Sequence, residues 1–328
     1  MKKFLTLLLC AAAALSMTSC KADKEPVSSS TDIHLSENIS SEESVFSEES
    51  ASPSNDVFSE ENNSANTSDL TEEYVTNDSM EEYTEYRSLT ILGDSIASGC
   101  MLPQYEPGNN YSSPLSFGNM LGSEFESYQN FAVDGRTTAE LLDALKSSEE
   151  LSEAVSNSDV VVISIGGNDF LQPMISAMMS DSELIASQYA EEYQPDMSDE
   201  FTQKILSSAF EAAQNVDVKK TLDNISECVK LISEVNPDTE IILMTVYNPF
   251  SGNELLNAAS EAAQEQLSLL NFGITLLQGG KVSVIDVYSA FDGNADKYTN
   301  IGIMDIHPNT DGHYRIYELL KEQLGIDN

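Results

Sequence analysis

Four short segments of this 328-residue chain carry the residue types that acyl transfer needs. Gly93-Asp94-Ser95 offers a hydroxyl, and Asp305-Ile306-His307-Pro308-Asn309 offers an imidazole with an acid two residues before it. Between them lie Asp134-Gly135-Arg136 and Gly167-Asn168-Asp169. A serine becomes a nucleophile when a base takes its proton, a third group orients that base, and donors face the developing oxyanion. By type, Ser95 is the nucleophile, His307 the base, and Asp305 the partner of the second ring nitrogen. The backbone N–H groups of Ser95 and Gly135 and the uncharged amide of Asn168 are the candidate oxyanion donors. A Cβ at 135 would block close approach of the substrate oxygen. Losing one such donor costs roughly 3–4 kcal/mol of barrier lowering.

Each segment alone also reads as an ordinary turn or helix cap. Their weight comes from where the surrounding sequence puts them. Residues 89–92 form an apolar, β-branched run ending at Gly93, the signature of a buried strand meeting a turn. Similar runs at 128–133, 160–165, 240–246 and 282–287 predict four more strands. Such continuous apolar strands suit a parallel sheet covered on both faces. Helical periodicity lies between them, at 137–145, through Val218, Leu222, Ile225, Val229 and Ile232, at 253–277 and at 311–324. The alternation predicts a three-layer α/β/α sandwich with a five-stranded parallel sheet. An additional helical insertion spans about 171–215, with Met174, Met178 and Met179 in it, and is a candidate cap over the site. In open α/β sheets the site lies beyond the carboxyl ends of the strands, where all four segments fall. His313, six residues past His307, is expected to be structural.

These residues resemble the SGNH hydrolase family, also called GDSL esterases/lipases, over about residues 88–328. Gly93-Asp94-Ser95 is similar to its first block, Asn130 through Gly135 to its second, Gly167-Asn168-Asp169 to its third, and Asp305 through Asn309 to its last. The resemblance implies a flavodoxin-like fold, a nucleophile at Ser95, oxyanion donors at Gly135 and Asn168, and a base at His307. It also implies ester substrates, either lysophospholipids and other acyl esters or acetyl groups on polysaccharides, with no cofactor and no metal. One position departs. The family's acid usually stands three residues before the histidine, where this chain has Met304. Either the loop accommodates the shifted Asp305, or a backbone carbonyl holds His307 and the site works as a dyad.

Composition narrows the field further. The formal charge is −40, and residues 88–328 hold 37 acids against 10 bases. Nucleic-acid binding needs clustered cations, so that role is excluded, and anionic substrates are repelled at long range. A His/Cys zinc site needs three or four converging ligands, and three histidines with four cysteines leave too few in the folded region. Cys100 and Cys228 can pair in principle, but two buried free thiols are the plainer reading.

The amino terminus reads as an address. Met1-Lys2-Lys3, a short apolar core and Ser16-Met17-Thr18-Ser19-Cys20 resemble a bacterial lipoprotein leader over residues 1–20, with Cys20 as the lipidated residue. An ordinary cleaved secretory signal is the alternative. Residues 21–87 are Ser- and Glu-rich with few apolar side chains, the composition of a disordered linker. The expectation is a serine esterase tethered to the outer face of a bacterial membrane, or else secreted. From another class, the rival is an inactive hydrolase-fold lipoprotein that binds wall or glycan.

Overall fold

The computed structural model describes residues 86–106, 113–186, 200–303 and 305–326. The leader, Cys20 and nearly all of the acidic tract lie outside the described residues, as do Met304 and part of the insertion. The side chains of Met178 and Met179 also lie outside them.

Five parallel strands form one sheet: β1 (Ser88–Gly93), β2 (Ser127–Asn130), β3 (Val160–Ser164), β4 (Glu240–Met244) and β5 (Val282–Ile285), in the order β2-β1-β3-β4-β5. Eleven α-helices occur among the described residues. They are α1 (Ser95–Ser98), α2 (Phe117–Gly122), α3 (Thr138–Ser147), α4 (Glu149–Ser156), α5 (Gly167–Ala186), α6 (Glu200–Gln214), α7 (Val218–Val235), α8 (Asn257–Thr275), α9 (Val287–Phe291), α10 (Ala295–Tyr298) and α11 (Thr310–Leu324).

The period-2 geometry of a strand divides its side chains between two cores. Val161, Ile163, Ile241 and Leu243 pack on one face with Leu141 of α3, Ile225 and Ile232 of α7 and Leu267 and Leu270 of α8. Val160, Val162, Ile242 and Met244 pack on the other with Phe117 and Leu121 of α2, Phe291 of α9 and Ile316 and Leu320 of α11. Both faces are covered, which is why these strands are apolar throughout instead of alternating.

β2, β4 and β5 stop two or three residues before the ends that their runs suggest, and β3 one residue before. Beyond Asn130 the chain leaves regular pairing, although Phe131 N–H and Val133 N–H still donate to Ile91 O and Gly93 O at 2.9 and 3.1 Å. β5 ends at Ile285 because the Asp286 side chain accepts from Ser289 N–H and caps α9, so Val287 begins a helix. The helix expected over 253–277 starts as a 3₁₀ turn at Glu254–Leu256 and becomes α8 at Asn257.

The order β2-β1-β3 makes the chain leave β1 to one side and return on the other, so a crevice opens beyond β1 and β3. Gly93 sits at that edge for a steric reason. A Cβ there would lie 2.3 Å from Ser164 O, the carbonyl that accepts from Asp94 N–H at 3.2 Å. The insertion contains α5, which runs well beyond the length of a first crossover turn, and α6, which packs on α5 and α8. Cys100 and Cys228 are free thiols, Cys228 buried as expected but Cys100 only half-buried, and each is pushed up to about 12, chiefly by desolvation.

His313 is fully buried against Phe117, their rings stacked at 5.8 Å, and its Nδ1 accepts from Phe117 N–H at 3.2 Å. Among the described residues its Nε2 has no partner. Burial first, and then His307, push its pKa down to about 3. The native imidazole therefore stays neutral while the unfolded chain takes up a proton below about 6.5, and stability is lost as pH falls from there towards 3. Between pH 7.5 and 5, the wild type should lose about 2 kcal/mol relative to His313→Gln, read from urea midpoints. A constant difference between the two proteins would disprove it.

Candidate active site

Ser95 is the first residue of α1, directly beyond β1. The Asp94 carboxylate caps the helix by accepting from Ile96 N–H at 3.0 Å, and Gly99 ends it one turn later in the left-handed region. The turn therefore holds the serine at the sheet edge, and the Asp94 cap takes Ile96 N–H while leaving the Ser95 N–H itself unused. Among the described residues the N–H groups of Ser95 and Gly135 have no hydrogen-bond partner. Buried or half-buried donors without partners are uncommon, and two flanking one crevice mark a place for an acceptor.

The second half of the site comes from residues 300–303, a 3₁₀ turn at Ile301–Ile303 after Asn300, and from residues 305–307. Asn300 N–H donates to His307 O at 2.9 Å, and Thr299 pairs with Pro308, joining the two stretches. Tyr247, beyond β4, donates its hydroxyl to Ile306 O at 2.7 Å and ties the second of them to the sheet. Asn309 caps α11, and its Nδ2 donates to Lys297 O and Thr299 O. These contacts bring the buried His307 ring to the nucleophile, with Nε2 3.0 Å from Ser95 Oγ. On the other side Nδ1 is 2.6 Å from Asp305 Oδ1.

The acid two residues before the histidine thus reaches the ring. It manages this because Asp305 Oδ1 also accepts His307 N–H at 3.2 Å, folding the carboxylate back over its own backbone. Asn300 Nδ2 donates to Oδ2 at 3.1 Å. Burial pushes the Asp305 carboxyl up, but the hydrogen bonds and charge of His307, with the Asn300 amide, outweigh it and hold the group below its ordinary value. A carboxylate kept ionised there favours the tautomer with the proton on Nδ1, leaving Nε2 free to accept from Ser95.

Gly135 lies at the same edge with φ +75°, and no protein atom comes within 4 Å of where a Cβ would stand. The glycine is required by the backbone conformation, and the space above it is open. Asn168, the second residue of α5, is buried. Its Nδ2 donates to Arg136 O at 3.1 Å and to the Asp94 carboxylate at 3.3 Å. Both amide protons are engaged in this state, so the Asn168 amide bridges the first and second blocks. To reach an oxyanion it must give up one contact, and the longer one to Asp94 is the weaker. Asp169 does not point to the nucleophile: it accepts from Thr138 N–H and Oγ1 at 3.0 and 2.6 Å and ties α5 to α3.

Asp94 is an acid that composition and spacing gave no reason to single out. Burial pushes it up to about 7, with Asp134 and Asp169 adding to the rise while Ile96 N–H and His307 oppose it. Asn300, Tyr247 and Gln172, whose Nε2 donates to Gly135 O at 2.7 Å, likewise carry no mark in the sequence. No spacing rule marks them, because each acts through a partner distant in sequence or through its own loop.

A family model described as GDSL-like Lipase/Acylhydrolase matches residues 91–315, from β1 into α11. The chain belongs to this family. As a GDSL-like hydrolase it is a serine enzyme acting on ester bonds. Similar proteins include the uncharacterized protein YpmR of Bacillus subtilis, 21% identical over 253 residues, covering 73% of this chain and 83% of YpmR. An extracellular lipase from Streptomyces rimosus superposes with a TM-score of 0.50 at 18% identity, covering 72% of this chain and 99% of its own. A phospholipase A1 from Streptomyces albidoflavus does so with a TM-score of 0.50 at 17% identity, with the same coverage. At these identities the structural likenesses establish the GDSL hydrolase fold.

Proposed function

We propose that this enzyme hydrolyses lysophospholipid-like and other acyl-chain esters through an acyl-enzyme on Ser95, at the outer face of a membrane to which Cys20 anchors it. The observation that carries the chemistry is the unbroken relay Asp305–His307–Ser95, at 2.6 and 3.0 Å. His307 takes the hydroxyl proton as Ser95 attacks, returns it to the departing alcohol, and then activates the water that releases the acid. The N–H groups of Ser95 and Gly135 stabilise the tetrahedral oxyanion, joined by Asn168 when its contact to Asp94 opens. A fluorophosphonate that forms a covalent adduct with Ser95 in the wild type, located by peptide mass, supports this; an adduct elsewhere contradicts it.

Preference for acyl chains is supported by the rim. Met101, Val133 and Ile303 are 56%, 48% and 63% exposed, three of the eight large hydrophobic side chains exposed among the described residues. Each adjoins a different catalytic segment. Met101 follows Cys100, whose N–H bonds Ser95 O; Val133 N–H bonds Gly93 O; Ile303 N–H bonds Asn300 O. Met101 also holds φ +68°, a left-handed conformation costing about 1 kcal/mol that no burial of its side chain repays. Covering an acyl methylene is worth about 0.8 kcal/mol. Changing all three to serine should lower kcat/KM for a decanoyl ester about tenfold and leave an acetyl ester within about twofold. Equal loss on both esters, or an enzyme selective for acetylated polysaccharide, overturns the acyl-chain reading.

The tether rests on residues 1–20. In a bacterial host Cys20→Ala should move the protein from the membrane fraction to the medium or abolish its processing. Unchanged membrane retention would remove the anchor.

A further inference from the structure

We infer that Asp134 is a positioning residue for the oxyanion hole, through a clamp of two hydroxyls that fixes the peptide carrying the Gly135 N–H. This rests on the reading of Gly135 as an oxyanion donor. That N–H belongs to the planar peptide joining residues 134 and 135, so its direction is set by the Cα atoms of Asp134 on one side and Gly135 on the other, the latter anchored through the next peptide's carbonyl.

Both sides are held. Asp134 Oδ1 accepts from Ser98 Oγ at 2.6 Å, and Oδ2 accepts from the Tyr105 hydroxyl. Ser98 is buried, stands on the same short helix as the nucleophile, and also lies 3.0 Å from Ser95 O. The carboxylate therefore ties the donor turn directly to the turn that carries Ser95. Beyond it, Gln172 Nε2 donates to Gly135 O at 2.7 Å, and Arg136 N–H closes the turn on Val133 O at 3.1 Å. Among the described residues no Lys or Arg pairs with Asp134, so hydroxyl donors alone satisfy the carboxylate. A lone acid in an exposed turn needs no such cage, since water serves it.

The arrangement has a catalytic consequence because oxyanion stabilisation depends steeply on donor placement; an error of about 1 Å costs about 100-fold in rate. A residue that only stabilised the fold would lower the melting temperature and leave the enzyme that remains folded with normal kinetics. A positioning residue lowers kcat and spares KM, since the ester carbonyl needs the hole mainly in the transition state.

The test measures kcat, KM and melting temperature with p-nitrophenyl butyrate, together with the rate of phosphonylation by a p-nitrophenyl phosphonate. Asp134→Ala should lower kcat and the phosphonylation rate together, by about 10- to 100-fold, with KM within about threefold. Asp134→Asn, which keeps the shape and one acceptor, should recover most of that loss. Should Asp134→Ala fold poorly, Ser98→Ala with Tyr105→Phe removes the same two hydroxyls and should reproduce its kinetics. The proposal fails if these variants keep wild-type kcat, or if their loss lies in KM alone. Ser95→Ala separates the two ideas: residual turnover there faults the nucleophile reading, whereas an inert Ser95→Ala beside a fully active Asp134→Ala faults only the clamp.

Discussion

Ser95→Ala should reduce kcat for p-nitrophenyl butyrate by about 10⁵- to 10⁶-fold, to the level that a hole and a binding cleft sustain without a nucleophile. The expectation follows from division of labour at one edge of the sheet. The imidazole acts only by exchanging protons with Ser95, the departing alcohol and the hydrolytic water; it is buried, and its Nε2 is engaged with Ser95 Oγ at 3.0 Å. With the hydroxyl gone, water would have to be positioned where Oγ stood and deprotonated by the same ring. The fold should survive the change. Ser95 Oγ contributes one hydrogen bond, to His307, so the loss of stability should stay near 1 kcal/mol. The α1 cap depends on Asp94, not on Ser95. Circular dichroism and a melting curve check the fold, and phosphonate titration checks the site: a protein with native melting and no titratable serine gives the expected result. Turnover within tenfold of wild type would mean that ester cleavage proceeds elsewhere.

How much of this was legible beforehand follows from where the information sits. β1 and β3 could be read because both faces of each are buried, which leaves unbroken apolar runs ending in Gly93 and Gly166. Those glycines and the polar residues after them locate the sheet's carboxyl edge, and the edge locates the chemistry. The end of β2 was less legible, because Phe131 and Val133 still bond to β1 after the strand has lost its regular form. The end of β5 was overrun because Val287 suits a strand as well as the helix that Asp286 caps. What the site adds lies in long-range partners. Asp134 meets Ser98 and Tyr105 across 36 and 29 residues, and Asn168 meets Asp94 across 74. No periodicity or local motif encodes such pairings; they follow only once the turns are side by side. Asp305 is the instructive case, since spacing alone left its role open between a shifted acid and a bystander.

Asp305→Asn should therefore be the most informative single substitution after the nucleophile, with an expected loss of about 10⁴-fold in kcat and little change in KM. The shape is preserved, so the effect must come from charge and proton placement. In the wild type both oxygens of the carboxylate accept: Oδ1 from His307 Nδ1 and N–H, Oδ2 from Asn300 Nδ2. An asparagine has one acceptor and one donor group. If its oxygen faces His307, its NH₂ confronts the Asn300 amide, donor against donor. If it turns to satisfy Asn300, its NH₂ faces Nδ1, which must then carry the lone pair, and the proton moves to Nε2. That tautomer presents N–H to Ser95 and cannot take its proton. The imidazolium formed during attack also loses its buried counter-charge. Asn300→Ala in the Asp305→Asn background distinguishes these effects. With the competing donor removed, the asparagine oxygen can turn back to Nδ1, and part of the activity, about tenfold, should return. If Asp305→Asn alone retains activity near wild type, the backbone or solvent holds His307 adequately and the site operates as a Ser95–His307 dyad. If it loses 10⁴-fold and the double variant regains none, the counter-charge rather than the tautomer sets the rate.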